Sequence, residues 1–352
     1  MKSILFRVVE PMMFRGASEF APTSRGPQAG AWSKPLPPPS TLAGALATLV
    51  LEYTGRNPPV GDPSKWYEEV VDILGGNPLL RGPFLDKQGN IYLQYKKGIV
   101  AFRELLEILR NGGLCESTER LSKAAKEHTL SYVNAVGITI KDETKTTLTG
   151  LIYSAAMVDY SKLGKRVGPG ARILLEVHRT TEPLQKTLQK PKIIRLGGEG
   201  RLIQVLANEA HPLTEQLNTL KQETNTLRLY VATPMLFKAT PKLLTKEKTK
   251  LDNTQPLTHT LKHQLDEQLN MPTLKADSIK IEGTIGILGG FSLAKPARKP
   301  IYASLQPGSI IELTRSAPYT TQEYHELYTE GLGLFRNIGY GTVIPIPLEN
   351  AK

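Results

Sequence analysis

Hydrophobic positions along the chain fall into short runs of period two and a few stretches of helical period, separated by clusters of Gly, Pro, Ser and Asn. Residues 3–10 are dominated by branched and aromatic side chains and lack a helix cap, which predicts a strand stopped at Pro11. Leu42, Leu46, Leu49, Val50 and Tyr53 recur on one helical face, so a helix is expected after Pro37-Pro38-Pro39 with Ser40 as its N-cap. The turn residues Asp86-Lys87-Gln88-Gly89-Asn90 before the alternating stretch 91–95 predict a hairpin, and residues 101–110 a short helix ended by Gly112-Gly113. Further strands are expected over 171–178, 201–207, 227–232, 279–288 and 310–314, making the second half the richer in strands. Thr320 followed by Glu323 forms a capping box that opens a helix to about residue 330, and residues 342–346 alternate as an edge strand does. No repeat of fixed period is evident, since the Leu-Gly-Gly tripeptides at Leu74, Leu196 and Leu288 are too short to define one.

A chain of 352 residues exceeds the usual single-domain size, and two modules are expected, 1–160 and 161–352. Lys and Arg total 44 against 33 Asp and Glu, a net charge of +11, so the surrounding field attracts polyanions. The single cysteine, Cys115, rules out an internal disulfide and any multi-cysteine zinc site; beside Glu116 and without an adjacent base, it reads as a small buried hydrophobe. No apolar run approaches the roughly 20 residues that span a bilayer, and the start is too short in its apolar part for a signal peptide, which together point to the cytoplasm with no membrane partner. Residues 16–39 form a long Gly/Pro/Ser/Ala-rich loop holding Trp32 and Lys34, and loops of that length in compact domains tend to be functional or disordered. The Thr/Lys/Gln/Leu-rich stretch 181–277, in which residues 238–250 carry five lysines against one glutamate, reads as a surface insertion with a solvated charge run.

Four glycines occur in the eleven residues Gly331-Leu332-Gly333-Leu334-Phe335-Arg336-Asn337-Ile338-Gly339-Tyr340-Gly341. Dinucleotide and P-loop sites need a strand feeding a glycine turn that opens a helix; here the order is helix, glycine loop, strand, and Arg336 occupies the third glycine position of G-x-G-x-x-G. A nucleotide cofactor is therefore not expected, and no other cofactor is indicated. Such a loop can let a nucleic-acid backbone approach the main chain, with Arg336 for charge and Phe335 or Tyr340 for stacking. Tight packing of a final strand beneath a helix fits the same residues equally well. The start of the helix near Ser40 and Thr41 offers a second anion site through its free N–H groups and dipole.

These motifs together resemble the repeat-associated (RAMP) superfamily of CRISPR proteins: the glycine loop, Phe14-Arg15-Gly16, and Pro37-Pro38-Pro39-Ser40-Thr41-Leu42-Ala43-Gly44-Ala45-Leu46. Val136-Gly137-Ile138 with Thr146, Leu151-Ile152-Tyr153, Arg195-Leu196-Gly197-Gly198-Glu199-Gly200-Arg201, Ala232-Thr233-Pro234 and Leu288-Gly289-Gly290-Phe291 narrow it to the family of the third subunit of the type III-B (Cmr) complex. The resemblance implies an α+β fold of two ferredoxin-like, RNA-recognition-like modules with antiparallel sheets, a C-terminal glycine-rich loop and insertions. It implies a scaffold without catalysis that holds the 5′ tag of guide RNA (crRNA) and contacts the large polymerase-like subunit and the backbone RAMP subunit. Carried onto this chain, the expected RNA contacts are Phe14, Arg15, Lys34, Ser40, Thr41, Gly197, Gly198, Arg201, Gly331, Gly333, Arg336, Gly339, Tyr340 and Gly341, with Trp32 a further stacking candidate.

Rival chemistries find less in the sequence. A guide-RNA-processing nuclease of the same superfamily needs a general base near the first helix, yet no histidine precedes His128. His259, His263, Asp266 and Glu267 fall near one helical face and are the one metal candidate, but a solvated helix explains them as well, and no metal is expected. A G-x-S-x-G elbow is absent, which removes the serine hydrolases. A pure protein–protein connector is a further alternative.

Overall fold

The computed structural model describes residues 1–15, 30–59, 62–140, 147–163, 170–198, 200–220, 222–237, 276–292 and 297–348. The chain opens with β1 (Ser3–Val8) and the short β2 (Gly30–Trp32), followed by α1 (Pro39–Thr54) and α2 (Trp66–Ile73). A meander of β3 (Leu79–Lys87), β4 (Asn90–Tyr95) and β5 (Gly98–Ala101) leads into α3 (Phe102–Asn111) and α4 (Leu114–Glu127). A long hairpin of β6 (Leu130–Ile140) and β7 (Thr147–Leu163) precedes β8 (Arg172–Arg179), α5 (Glu182–Thr187), β9 (Lys192–Leu196) and β10 (Arg201–Asn208). After α6 (Pro212–Leu217) come β11 (Thr224–Val231), β12 (Met235–Phe237), β13 (Ser278–Glu282), β14 (Ile285–Leu288), the two-residue β15 (Phe291–Ser292) and β16 (Ala297–Arg298), β17 (Tyr302–Leu305), β18 (Ile310–Tyr319), α7 (Thr321–Glu330) and β19 (Val343–Pro347).

Two sheets share one plan. The larger runs β5-β4-β3-β8-β1-β10-β9 and the smaller β13-β18-β11-β19. Taking β1, β3, β8 and β10 as first to fourth strands, the spatial order is second, third, first, fourth; β11, β13, β18 and β19 repeat it, and every pairing within both sets is antiparallel. In the first module α1 follows the first strand and α5 precedes the fourth; in the second α7 precedes the fourth and residues 238–275 lie outside the described residues, and the strand order is the ferredoxin-like one in both. The α+β class and the two-module expectation therefore agree with the structure.

The expected boundary at residue 160 does not. Residues 172–208 supply β8, β9 and β10 of the first sheet, because β1 bonds β8 along one edge and β10 along the other. The first module runs through Asn208 and the second begins at Thr224. Residues 181–231 thus belong to the two folds rather than to an insertion, while residues 238–250 and His259, His263, Asp266 and Glu267 lie outside the described residues. The single strand expected over 279–288 is two strands in different sheets, broken at Gly283, where a Cβ would overlap the Ser309 side chain. Cys115 is exposed at the start of α4, not buried.

Each face of the first sheet has its own core. Ile4 and Phe6 of β1 pack with Leu42, Leu46 and Val50 of α1 and Tyr67 and Val70 of α2. Leu5 faces the opposite way and joins Phe84, Leu174, α3 and α6 with Tyr230, Ile344 and Ile346 from the second sheet. That second core is shared between the modules, so burying it joins them as one body. Among the described residues no helix is long and apolar enough to cross a membrane.

Candidate nucleic-acid interface

The segment leaving β1 is held against the turn before β10. Met13 forms a bridge with Gly198, whose amide donates to the Met13 carbonyl at 2.8 Å. Gly197 has φ +73, and a Cβ there would lie 2.6 Å from that carbonyl, so only glycine admits so close an approach. On the other side the Lys34 amide donates to the Phe14 carbonyl at 2.8 Å, and the Phe14 amide donates to the Ser33 hydroxyl at 2.9 Å. Arg201 pairs with Glu10 at 2.9 Å, and Glu10 also accepts from the Leu202 amide at 2.6 Å. Those hydrogen bonds, Leu202 first and then Arg201, hold the Glu10 carboxyl below its usual range. The fold thus gathers Phe14, Arg15, Lys34, Gly197, Gly198 and Arg201, distant in sequence, into one corner.

The aromatic candidates separate by burial. Phe14 and Tyr340 are 2% and 0% exposed and belong to the core, which corrects their assignment as RNA-stacking residues. Phe335, at φ +54, stacks on Tyr67 with ring centroids 4.3 Å apart and is likewise used internally. Trp32 is 63% exposed. It lies on β2, which pairs in parallel with β7, and its ring meets Tyr132 of β6 at 6.0 Å. Farther along β6, Val133 and Val136 are also exposed, so the hairpin carries apolar side chains into solvent.

The C-terminal glycine loop is a seam. The amides of Leu332, Leu334, Gly339 and Gly341 donate to the carbonyls of Gly341, Leu236, Arg336 and Pro234 at 2.8, 3.0, 3.2 and 2.9 Å, and the Thr342 amide donates to the Thr233 hydroxyl at 2.9 Å. Gly331, Gly339 and Gly341 are buried; Gly333 and Arg336 are half-buried. The loop lies on β3 of the first module: the Leu80 amide donates to the Asn337 carbonyl at 3.0 Å and the Gly82 amide to the Thr342 hydroxyl at 3.2 Å. Bare amides offered to a polyanion are therefore not what this loop provides at Gly331, Gly339 and Gly341. Packing, the alternative reading of the same residues, accounts for them.

Arg81, which sequence reasoning passed over, lies beneath that seam with no exposure. Its guanidinium donates to the carbonyls of Tyr328 (2.8 Å), Thr329 (2.5 Å), Leu80 and Arg336, closing the C-terminal end of α7 where a cation opposes the helix dipole. Burial pulls its pKa down to about 9, still above neutrality, so it remains a cation. Nearby, fully buried Glu176 accepts from Tyr328 (2.7 Å), the Thr214 hydroxyl (2.5 Å) and the Leu213 amide (2.6 Å).

Ser40 is not an N-cap. The helix begins at Pro39, suited by its fixed φ to a first turn, with Pro38 at the cap position and no side-chain cap. The Thr41 amide donates to the Pro38 carbonyl at 2.9 Å, and Ser40, 5% exposed, faces the buried Tyr340 phenol, whose pKa burial pushes up to about 12. Tyr67 and Tyr340 thus occupy the helix start where an anion was expected, and only Thr41 is half-buried.

The two corners are equivalent, a repeat that short tripeptides hid. After β11, Leu236 bridges Leu334 as Met13 bridges Gly198, and Gly333 approaches the Leu236 carbonyl as Gly197 approaches that of Met13. The sequences match: Val8-Val9-Glu10-Pro11-Met12-Met13-Phe14-Arg15 against Val231-Ala232-Thr233-Pro234-Met235-Leu236-Phe237-Lys238. Aligning the segments after the two first strands was the signal available. Among the described residues no three His, Cys, Asp or Glu side chains form a metal-binding group.

Residues 103–348 match the CRISPR-associated protein (Cas_Cmr3) family. The chain is 24% identical over 218 residues to CRISPR system CMR subunit Cmr3 of Saccharolobus solfataricus, covering 58% of this chain and 63% of that relative, just under two thirds of its length. Its fold is similar to a chain in the cryo-EM structure of Type III-B Cmr-beta bound to cognate target RNA, with TM-score 0.60 and 18% identity over 97% of this chain and 96% of that one. A second such structure, bound to cognate target RNA and AMPPnP, gives TM-score 0.59 and 17% identity over the same shares. At these identities the structural likeness speaks to fold, and the family match, over more than half the residues, to kinship: the chain belongs to the Cas_Cmr3 family of CRISPR-associated proteins.

Proposed function

We propose that this chain is a non-catalytic RNA-binding subunit of a type III-B CRISPR effector complex, holding the 5′ tag of the guide RNA and joining the large polymerase-like subunit to the backbone subunits. The observation that carries the RNA reading is the β1 corner, where Arg15, Lys34 and Arg201 collect around Gly197 and Gly198. Beside it Trp32 presents a mostly exposed ring along the β6–β7 hairpin. Basic side chains with an open aromatic face are what single-stranded RNA requires: charge for phosphates and a platform for a base. Arg336 and Thr41, half-buried near the second corner, supply a lesser share of the binding surface. The reading without catalysis is supported by the histidines: none precedes His128 in the sequence, and His128 pairs with Glu104 at 2.9 Å away from the first helix, so a histidine base of the kind a superfamily nuclease could use is not supplied there.

The test is fluorescence anisotropy of tagged guide RNA against the whole chain across a salt series. The triple variant R15A/K34A/R201A is expected to bind about tenfold or more weakly and to flatten the log affinity against log salt by about 2, near 0.7 for each phosphate of a single strand that is no longer neutralised. Trp32→Ala is expected to weaken binding with the salt slope kept, because stacking carries no counterion release. Unchanged affinity in both would overturn the assignment. Discrete cleavage of repeat RNA by the purified protein in chelator would move the function to the nuclease alternative, and absence of any crosslink to guide RNA within the assembled complex would leave only the connector reading.

A further inference from the structure

Half of one face of the first sheet is left open. The shared core covers Leu5, Phe84 and Leu174, but the same face continues over Arg7 of β1, Leu202 and Gln204 of β10, and Ile193 and Arg195 of β9. The register sets Arg7 opposite Gln204, Gln204 opposite Ile193, and Leu202 opposite Arg195, so these residues form one continuous patch with Val9 just past the end of β1. Ile193 is 71% exposed, Val9 64% and Leu202 45%. Three aliphatic side chains side by side in water on a flat sheet mark a contact surface rather than scattered apolar exposure.

The patch ends at an unpaired edge. Among the described residues β9 is the last strand in the sheet and pairs with β10 alone. Exposed edges are commonly blunted by lysine, proline or a bulge; here Pro191 precedes the strand and Lys192 begins it, yet Ile193, its second residue, carries the largest exposure of the apolar side chains described. Arg7 and Arg195 have no carboxylate partner among the described residues: Glu10 is tied to Arg201 and the Leu202 amide, and Asp86 to Arg172, the residue opposite Arg7 on β8.

We propose that the β9 edge accepts a β-strand of a partner protein whose side chains on the open-face side, every second residue, are apolar and acidic in turn. Main-chain pairing along β9 supplies affinity; on the open face Ile193 meets an apolar side chain and Arg195, two residues on, an acidic one, with Leu202 on the next strand within reach of a long apolar side chain and Val9 and Arg7 continuing the surface inward. RNA is the poorer occupant, because the described residues of the open patch include no aromatic ring and recognition of single strands depends on stacking. The inference rests on the reading of the chain as a subunit of an assembly.

Hydrogen–deuterium exchange of the full chain tests it in three states: alone over a concentration series, with guide RNA alone, and in the complex reconstituted from the type III-B protein subunits and guide RNA. The β9 amides that do not bond β10 are expected to exchange fast in the first two states and at least about tenfold more slowly in the third, as edge amides do on gaining a partner. Ile193→Asp and Leu202→Asp, both at exposed positions, are expected to keep the unfolding midpoint while lowering incorporation into the complex about tenfold or more. Protection by RNA alone, or by raising the concentration of the isolated chain, replaces the partner strand with RNA or with a second copy and overturns the proposal. So does entry into the complex with β9 still exchanging fast. A wild-type chain that does not enter the complex removes the subunit reading and this inference with it.

Discussion

The two modules carry the same corner and use it differently. In the first, the segment after β1 meets Gly197 and Gly198, and the turn stays half-open with Arg201 on a surface carboxylate. In the second, the segment after β11 meets Gly333 and Leu334, but the chain then folds back through Gly339 and Gly341 onto β3 and closes over Arg81. Both corners are glycine-rich, three in the seven residues 195–201 and four in the eleven residues 331–341, so glycine here reports close backbone packing and does not by itself mark a ligand. What separates the corners is the company of the guanidinium: backbone carbonyls in the interior for Arg81, a carboxylate near water for Arg201.

The sharpest way to break that contrast is to remove Arg81. Arg81→Met leaves the carbonyls of Tyr328, Thr329 and Arg336 buried without their donor, and each such orphan costs about 1–3 kcal/mol, so a loss of about 4 kcal/mol in denaturant unfolding is expected. Arg81→Lys is expected to recover less than half, since one ammonium cannot reproduce a planar fork reaching several carbonyls. Gly341→Ala drives a Cβ into the Leu332 carbonyl at φ +58 and should cost about as much as Arg81→Met. RNA affinity per folded molecule should stay within about twofold in all three, because none touches the open corner. A selective loss of RNA binding would return the glycine loop to the RNA interface.

A smaller effect, and one with a pH signature, comes from Glu176, which ties α7 to the first sheet. Burial alone would raise its pKa, but the His178 ring at 3.6 Å and hydrogen bonds from Thr214, Tyr328 and the Leu213 amide outweigh that and hold it below the ordinary 4.5. A carboxyl lowered on folding adds stability that is fully present above its unfolded value and is lost as pH falls through the folded value. Glu176→Gln is therefore expected to cost about 2–3 kcal/mol at pH 7, the size of hydrogen bonds to a charged acceptor, and nearly nothing once pH is well below 4.5. Urea midpoints of both proteins measured from pH 7 downward check this, and parallel curves would mean that the carboxylate charge is not what joins the modules.

Most elements were legible from periodicity because their cues are local. The Thr320–Glu323 capping box forms as expected, and the strands over 3–10, 171–178 and 201–207 appear within one to three residues. The module boundary was not, since it depends on β1 choosing β8 and β10 as neighbours, a pairing across 170 to 200 residues with no local sign. The glycine loop misled for a related reason: glycine admits a ligand and a neighbouring carbonyl alike, and only the partner's position distinguishes them. Arg81 stands in an unremarkable Leu79-Leu80-Arg81-Gly82, and its role exists only once α7 arrives from 247 residues later. Arg15, Lys34, Gly197, Gly198 and Arg201 were named from motifs, and the fold does bring them together.

The finest test lies at the open corner itself. Arg201 is about one-third exposed and its partner Glu10 equally so, which places the pair where solvent screens it. Arg201→Ala should accordingly leave the unfolding midpoint almost unmoved, in contrast to Arg81→Met. Against tagged guide RNA it should weaken binding only a few-fold and reduce the salt slope by about 0.7, the share of one phosphate on a single strand. Glu10→Gln sharpens the reading from the other side, because freeing Arg201 from its carboxylate leaves more of its charge for the RNA and should strengthen binding slightly at low salt, with the gain fading as salt rises. If both variants instead destabilise the fold and leave the RNA unaffected, Arg201 is a strut like Arg81 and the two corners differ only in exposure.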